Sequence, residues 1–462
     1  MGYRGFGITV AIVASSIGWS GAMAQSAPYP STYQPIPSAD VLLRNGTVLD
    51  GLGGQFLSTD VLISAGKISA IGENLTAPDG AQIIDATGKW ITPGIIDVHS
   101  HLGVYPSPSV RAHNDGNEIT NPVTAEISAE HGIWPQDPGF NRARAGGITS
   151  MLILPGSANL FGGRGVVLKN IPSRTAQGMK FPDAPYALKM ACGENPKRVY
   201  GEKGGPGSRM GNFSGYRKAW IKAVAYRDKW AKYETALTKA KPEDEKQPTK
   251  PDTDLQLETL VGVLDGEILI NMHCYRADEM VQIIDLSKEF GYKVTTFHHA
   301  IEAYKIGDLL KDNGTCAAMW ADWGGFKMEA YDSIRENIPM VHAAGGCAIV
   351  HSDSDAGIQR LHQEAAKALA DGQKAGLNIS KAEAWTWLSS NPAKALGIGD
   401  KTGALTAGKN ADVVLWSTDP FSVRSRAEQV FVDGALLYDK NDRSRQAVSD
   451  FELGQPGEGD VK

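Results

Sequence analysis

Only four cysteines occur in 462 residues, at Cys192, Cys274, Cys316 and Cys347, and no two stand in C-x-x-C spacing. That scarcity excludes a disulfide scaffold, a zinc ribbon and a thioredoxin-type redox motif. The four read as small buried residues, which an oxidising compartment would permit to pair without requiring it. Basic residues are also in deficit, with 46 Lys and Arg against 52 Asp and Glu and a formal net charge of −6. No Lys/Arg-rich stripe is available to neutralise a phosphate backbone, so a nucleic-acid partner is excluded and a small-molecule substrate is expected. Long hydrophobic runs are missing after residue 24, and none later could span a bilayer.

The start of the chain differs from the rest. Arg4 supplies a positive charge, Ile8 to Trp19 is mostly apolar, and Ala22-Met23-Ala24 has the small-x-small form read by signal peptidase. Residues 1–24 are therefore expected to be a signal peptide, with a soluble mature protein beginning near Gln25 in the periplasm or outside the cell. No membrane attachment is expected after cleavage, and the chain is compatible with a homo-oligomer.

With 42% hydrophobic residues the chain can build a large core and more than one domain. From residue 38 to 90, short apolar runs alternate with tight turns such as Asn45-Gly46 and Ala65-Gly66-Lys67, the pattern of β-hairpins. The same style returns over residues 400–445, in Ala411 to Trp416 and Gln429 to Tyr438. One small β-sandwich domain assembled from both termini is the expectation. Between them, residues 91–399 alternate short apolar runs with helical patterns, which predicts β-α repeats. Strand candidates are 94–98, 150–154, 186–192, 268–272, 293–297, 316–319 and 347–350, a number that fits an α/β fold of the TIM-like (β/α)8 barrel type. A helical insertion over about 216–256 carries Trp220, Trp230, Tyr233 and Leu237 among many charges, an aromatic stripe that reads as packing.

Within the apolar run Ile91 to Gly103, His99 and His101 stand two apart. Side chains at i and i+2 of a strand share a face, so both imidazoles can close on one ion, and neutral imidazoles suit zinc or another first-row divalent metal. His273, His299 and Asp353 each end a strand-like run, and functional side chains of a (β/α)8 barrel sit at the C-terminal ends of its strands. Gly162-Gly-Arg-Gly165 lacks the Lys-Ser/Thr of a phosphate loop. The loop 156–165 lies where a substrate could be gripped.

Several segments together resemble the amidohydrolase superfamily, specifically its imidazolonepropionase-like branch. They are Thr92-Pro-Gly-x-Ile-Asp97-x-His99-x-His101, Asp115-Gly-Asn-Glu118, Ala145-Gly-Gly-Ile-Thr149, Pro155-Gly-Ser-Ala-Asn159, Arg276-Ala-Asp278, His299-Ala-Ile-Glu-Ala303, Ser352-Asp353-Ser354, Asn391-Pro-Ala-Lys394 and Gly408-Lys-Asn-Ala-Asp412. The resemblance implies that His99, His101 and Asp353 hold one divalent ion, with His273 and His299 on a second, zinc being the first choice. It further implies a metal-activated hydroxide, with Asp353 taking a proton from the attacking water and delivering it to the leaving nitrogen. A group on the fourth strand would bridge the ions. Lys189 sits where many relatives carry a carboxylated lysine, while Glu194 resembles the Gly-Glu bridge of adenine deaminases; Glu194 is preferred because it needs no modification. His298 and His351 fall out of phase with the ligands and are expected to orient them. His113, His131, His342 and His362 are expected to be structural or exposed.

These features predict an exported metal-dependent hydrolase that cleaves carbon–nitrogen bonds in a cyclic amide, an N-acyl compound or a related small substrate. Tyr275 and Arg276, just past His273, are candidates to grip it. A metallo-dipeptidase or carboxypeptidase is the alternative, discriminated by a cation on the loops after strands 5 and 7, for which Arg276 is the candidate. A non-catalytic metal or solute binder is disfavoured, because a binder has no use for Asp353 as a proton shuttle.

Overall fold

A computed structural model describes residues 29–107, 109–244 and 246–446. The expected signal segment lies outside these residues. The chain opens with β1 (Val41–Leu49), β2 (Gln55–Ser64), β3 (Lys67–Gly72), β4 (Gln82–Asp85) and β5 (Trp90–Pro93). The barrel follows, with β6 (Ile95–Ser100), β7 (Ile148–Ile153), β8 (Phe161–Lys169), β9 (Ala187–Ala191), β10 (Leu269–Cys274), β11 (Val294–His299), β12 (Cys316–Met319) and β13 (Cys347–Val350). The chain then returns through β14 (Val413–Trp416), β15 (Ala427–Val432) and β16 (Ala435–Asp439).

The terminal strands form one sheet in the order β16-β15-β14-β5-β1-β2-β3, with β4 beside β1. Strands from the two ends of the chain meet where β14 pairs antiparallel with β5. Alternating apolar residues such as Val41, Leu43, Val61 and Ile63 pack there with Val413, Leu415 and Phe431. Trp416 on β14 adds a side-chain link within this sheet, its indole N–H donating to Thr92 Oγ1 on the neighbouring β5 at 2.9 Å.

The barrel sheet runs in the order β13-β12-β11-β10-β9-β8-β7-β6. All seven strand candidates fall on its strands, and the fold is a nearly closed eight-stranded barrel with a separate β domain. The eighth strand, β8, was not foreseen, and it corrects two expectations. It is antiparallel to both β7 and β9, so the sheet is not wholly parallel. It also incorporates the end of the segment 156–165 that reads as a loop. Its glycines mark close backbone approach rather than flexibility: a Cβ at Gly165 would lie 2.6 Å from Leu154 Cδ2 and 2.8 Å from the Ile153 carbonyl oxygen.

Hydrogen bonds close the seam between β13 and β6. The Asp353 N–H donates to the His99 carbonyl at 3.0 Å, and the Ser352 N–H and hydroxyl both donate to the buried Asp97 carboxylate. With little water to solvate it, Asp97 is pushed up to about 7, by burial above all, while the donors from Ser352 and the His99 N–H act against that rise.

Three of the cysteines are buried and Cys347 is half-buried, and none of the four is free. Cys192 pairs with Cys274 and Cys316 with Cys347. The partners stand 82 and 31 residues apart in sequence and meet only because β9 and β12 lie beside β10 and β13. The insertion contains a helix over Arg209–Lys239. Its aromatic stripe packs as expected at Trp220, which is buried against Phe161 and Tyr292 with ring centroids 5.3 and 4.4 Å apart. The same helix supports the end of β9, where Asn212 Nδ2 donates to the Gly193 carbonyl at 2.9 Å.

Candidate metal centre

His99 and His101 leave β6 side by side, and their Nε2 atoms lie 3.3 Å apart. Asp353 brings Oδ1 to 3.2 Å from His101 Nε2 and 3.5 Å from His99 Nε2. An ion held tetrahedrally at about 2.0–2.1 Å separates its ligand atoms by about 3.3–3.4 Å, so these three atoms already have the spacing of one face of such a site. Hydrogen bonds fix which nitrogen each ring offers. His101 Nδ1–H donates to the Leu154 carbonyl at 2.8 Å, leaving Nε2 with its lone pair inward. His298 donates from Nε2 to Asn271 Oδ1 at 2.8 Å, so its Nδ1 can accept from His99 Nδ1–H at 2.9 Å, and His99 Nε2 is likewise left free.

Consecutive residues of a strand face opposite sides, yet His298 and His299 both approach His99, with ring centroids 4.7 and 4.9 Å away. Left-handed backbone at His299 (φ 69°) and Ala300 (φ 40°) breaks the alternation. Asp353 has φ 47°, a third strained non-glycine position in the site. His99, His299 and His351 each place a ring nitrogen within 4.8 Å of the others, as do ligand atoms of His99, His101 and Asp353. Beside them His273 packs edge-on to His299 at 4.6 Å.

The electrostatics suit a cation. Burial first, then the Lys189 charge, holds His99, His273 and His298 well below the ordinary imidazole value; at His299 burial acts first and His273 second. Burial pushes His351 down to about 3 although Asp353 pulls the other way. Neutral imidazoles are the form that binds metal. Burial works to raise the Asp353 carboxyl, but the close approach of the His101 ring and the charges around it outweigh this and hold it below its usual range. Buried His273 Nδ1, His299 Nδ1 and both His351 nitrogens have no hydrogen-bond partner. Unpaired buried nitrogens are costly in protein alone and fit a divalent metal.

The structure brings His99, His101, His273, His299 and Asp353 together. It also adds His351, which strand phase had assigned to an orienting role. Lys189 joins them, fully buried on β9 with Nζ 3.4 Å from His99 Nε2 and 3.2 Å from the Pro155 carbonyl. Glu194, the preferred bridge, is not among the ligand atoms that converge. It begins the short helix Glu194–Tyr200, where it pairs with Lys327 Nζ at 3.4 Å. Tyr275 stacks on His299 with centroids 5.2 Å apart. Arg276 does not reach the site: it caps the helix Ala277–Phe290, and Asp278 in the first turn takes its guanidinium through two hydrogen bonds of 2.9 Å. The cation that faces Tyr275 is Lys327, 4.1 Å from the ring centroid on the loop after β12. Its sequence neighbourhood carries no motif that would have singled it out.

The family model described as the amidohydrolase family matches residues 90–437. The chain belongs to the amidohydrolase family. An amidohydrolase from Thermotoga maritima MSB8 of solved structure is 36% identical, with a TM-score of 0.78 over 87% of this chain and 100% of that one. Amidohydrolase tasK of Hapsidospora irregularis is 34% identical over 410 residues, 84% of this chain and 41% of that protein, so the chain spans about two fifths of that relative's length. An allantoinase of Salmonella choleraesuis (strain SC-B67) is 33% identical over 118 residues, 26% of this chain and 20% of the relative. Amidohydrolases generally bind divalent metals, and the histidine-rich group at the barrel mouth is this chain's candidate for that role.

Proposed function

We propose that this amidohydrolase is an exported, divalent-metal-dependent enzyme, zinc being the first choice, that hydrolyses a carbon–nitrogen bond in a small cyclic amide, N-acyl or related compound. The observation that carries the reading is the convergence of His99 Nε2, His101 Nε2 and Asp353 Oδ1 at 3.2–3.5 Å, beside unpartnered His273, His299 and His351 nitrogens. His99, His101 and Asp353 would hold one ion, and His273, His299 and His351 would serve a second. Bound there, divalent ions supply a Lewis acid for the substrate carbonyl and lower the pKa of water.

Asp353 is placed for proton transfer. Its carboxylate is ionised, and 25% of its side chain is exposed, so it meets both the ligand nitrogens and incoming water. Oδ2 accepts the proton of the attacking water and returns it to the departing nitrogen. Lys189 is the proposed bridge. Burial pushes its ammonium down to about 8, which leaves free amine to add carbon dioxide with loss of one proton, giving a carbamate whose two oxygens can serve two ions. Export is supported by the pairing of all four cysteines, since such bridges persist in oxidising compartments.

The metallo-dipeptidase alternative has one specific support, Lys327 beside Tyr275 on the loop after β12. That ammonium is already engaged by Glu194 and Glu329, at 3.4 and 3.5 Å, which weakens its claim on a substrate carboxylate. The test is elemental analysis of the purified protein, followed by assay of metal-free and zinc- or manganese-loaded forms on cyclic amides, N-acyl amino acids and dipeptides. Metal-dependent release of the amine from a non-peptide amide is expected. A loaded protein that hydrolyses none of them is a binder, and preference for dipeptides moves the assignment to the alternative.

A further inference from the structure

A cavity of about 260 Å³ opens directly over the candidate ligands. His101 and Asp353 line it together with Leu102, Tyr105, Pro106 and Trp323. Ser109, Ser354 and Asp355 complete the lining, so Leu102, Pro106 and the two rings form an apolar side within an otherwise polar cavity.

Packing holds the two aromatic side chains of this lining. Tyr105 sits edge-on to His101 with centroids 5.4 Å apart. Its hydroxyl accepts a hydrogen bond from Asn117 Nδ2, whose Oδ1 in turn accepts the Ala158 N–H at 3.1 Å. Gly116 presses on the ring, since a Cβ there would lie 2.0 Å from Tyr105 Cζ, and a Cβ at Gly156 would lie 2.2 Å from Asn117 Nδ2. The ring and the amide that holds it are thus both packed against glycine backbone. On the other side Trp323, with 44% of its surface exposed, is backed by Trp320 at 5.5 Å, and Trp320 itself stacks on His299 at 4.3 Å and 28°. A continuous run of rings thus leads from a candidate ligand to the cavity lining.

We propose that Tyr105 and Trp323 form a slot for one neutral aromatic or heteroaromatic ring of the substrate, next to the carbon–nitrogen bond that is cut; the proposal rests on the hydrolase reading above. Rigid aromatic side chains favour flat partners by offset or edge-on packing beyond simple burial. The cavity is smaller than pockets that hold drug-sized ligands, so it takes a single ring system rather than a peptide chain. The Asp355 carboxylate, outside the ligand set, disfavours an anionic group beside the rings.

The test uses three matched neutral amides, benzamide, cyclohexanecarboxamide and acetamide, with affinity read by calorimetry on the zinc-loaded protein. Benzamide should bind about three- to ten-fold more tightly than cyclohexanecarboxamide and more tightly still than acetamide. Trp323→Leu, on a partly exposed loop position, should keep metal content and melting temperature while losing most of the preference for benzamide, and Tyr105→Leu should do the same. Equal affinity for benzamide and cyclohexanecarboxamide, or a benzamide preference that survives in Trp323→Leu, overturns the slot. Ring-selective binding without hydrolysis of any amide would overturn the hydrolase reading instead, so the two failures are distinguishable.

Discussion

His99 and His298 face each other through their Nδ1 atoms at 2.9 Å, both rings fully buried, and Asn271 completes the line at 2.8 Å from His298 Nε2. A proton on each donating nitrogen can point along this line only one way, from His99 to His298 to Asn271, and that order leaves His99 Nε2 free to bind metal. Partners of this kind commonly carry about 10–100-fold of metal affinity. His298→Leu is therefore expected to weaken zinc binding by about that factor with far-UV circular dichroism unchanged, as read by chelator competition. Unchanged affinity would show that His99 needs no such support.

Asp353→Asn should keep the fold and at least one metal, because the amide oxygen still coordinates weakly, but it cannot accept a proton at neutral pH. A kcat about 10²–10⁴-fold lower is expected from the loss of general base and acid. Near-normal kcat would remove Asp353 from proton transfer.

The bridge is decided by opposite forecasts. Lys189→Met should lower metal occupancy from two equivalents toward one, and loading of the unmodified protein should depend on bicarbonate. Glu194→Gln, which breaks only the pair with Lys327 at 3.4 Å, should keep two equivalents. Reversed occupancies in the two variants, together with indifference to bicarbonate, would return the role to Glu194.

What was readable in the sequence follows from how local each signal is. His99 and His101 are two apart on one strand, so period-2 geometry alone brings them together. The two-ended β domain was readable because turn signals recur within a few residues. His298, out of phase on its strand, orients His99 as expected. His351 departs from expectation: strand phase sends it away from the ligands, yet its ring lies with His99 and His299, and the left-handed φ two residues on at Asp353 is invisible in composition. The strand β8 was hidden by its own glycines, which read as loop but serve close packing on Ile153 and Leu154. Arg276 was chosen for its place after His273, with no local sign that Asp278 would capture it.

Cysteine pairing was equally hidden, since partners far apart in sequence meet only as neighbours in the barrel. Alkylation of the denatured, unreduced protein should label none of the four cysteines, and prior reduction should make all four reactive. The bridge Cys192–Cys274 directly follows His273, so reduction is expected to lower metal occupancy as well as melting temperature. Four reactive thiols without reduction would contradict both bridges.

His362 offers a test of stability rather than chemistry. It is buried beside Trp416, with ring centroids 4.8 Å apart, and neither of its nitrogens has a hydrogen-bond partner. Burial, with a smaller contribution from Arg426, pushes its pKa down to about 4. The unfolded chain binds a proton near the ordinary value of about 6.5, so between about pH 6.5 and 4 the unfolded state carries a proton that the native state refuses. Stability from this group is therefore fully present above pH 6.5, is lost as the pH falls through that window, and falls no further below it. The loss amounts to about 3 kcal/mol if the whole shift is realised. His362→Leu, of similar bulk and without a titrating ring, should flatten the decline in melting temperature between pH 7 and pH 4.5 relative to the unmodified protein. Parallel declines in the two proteins would mean that burial does not shift His362 relative to the unfolded chain.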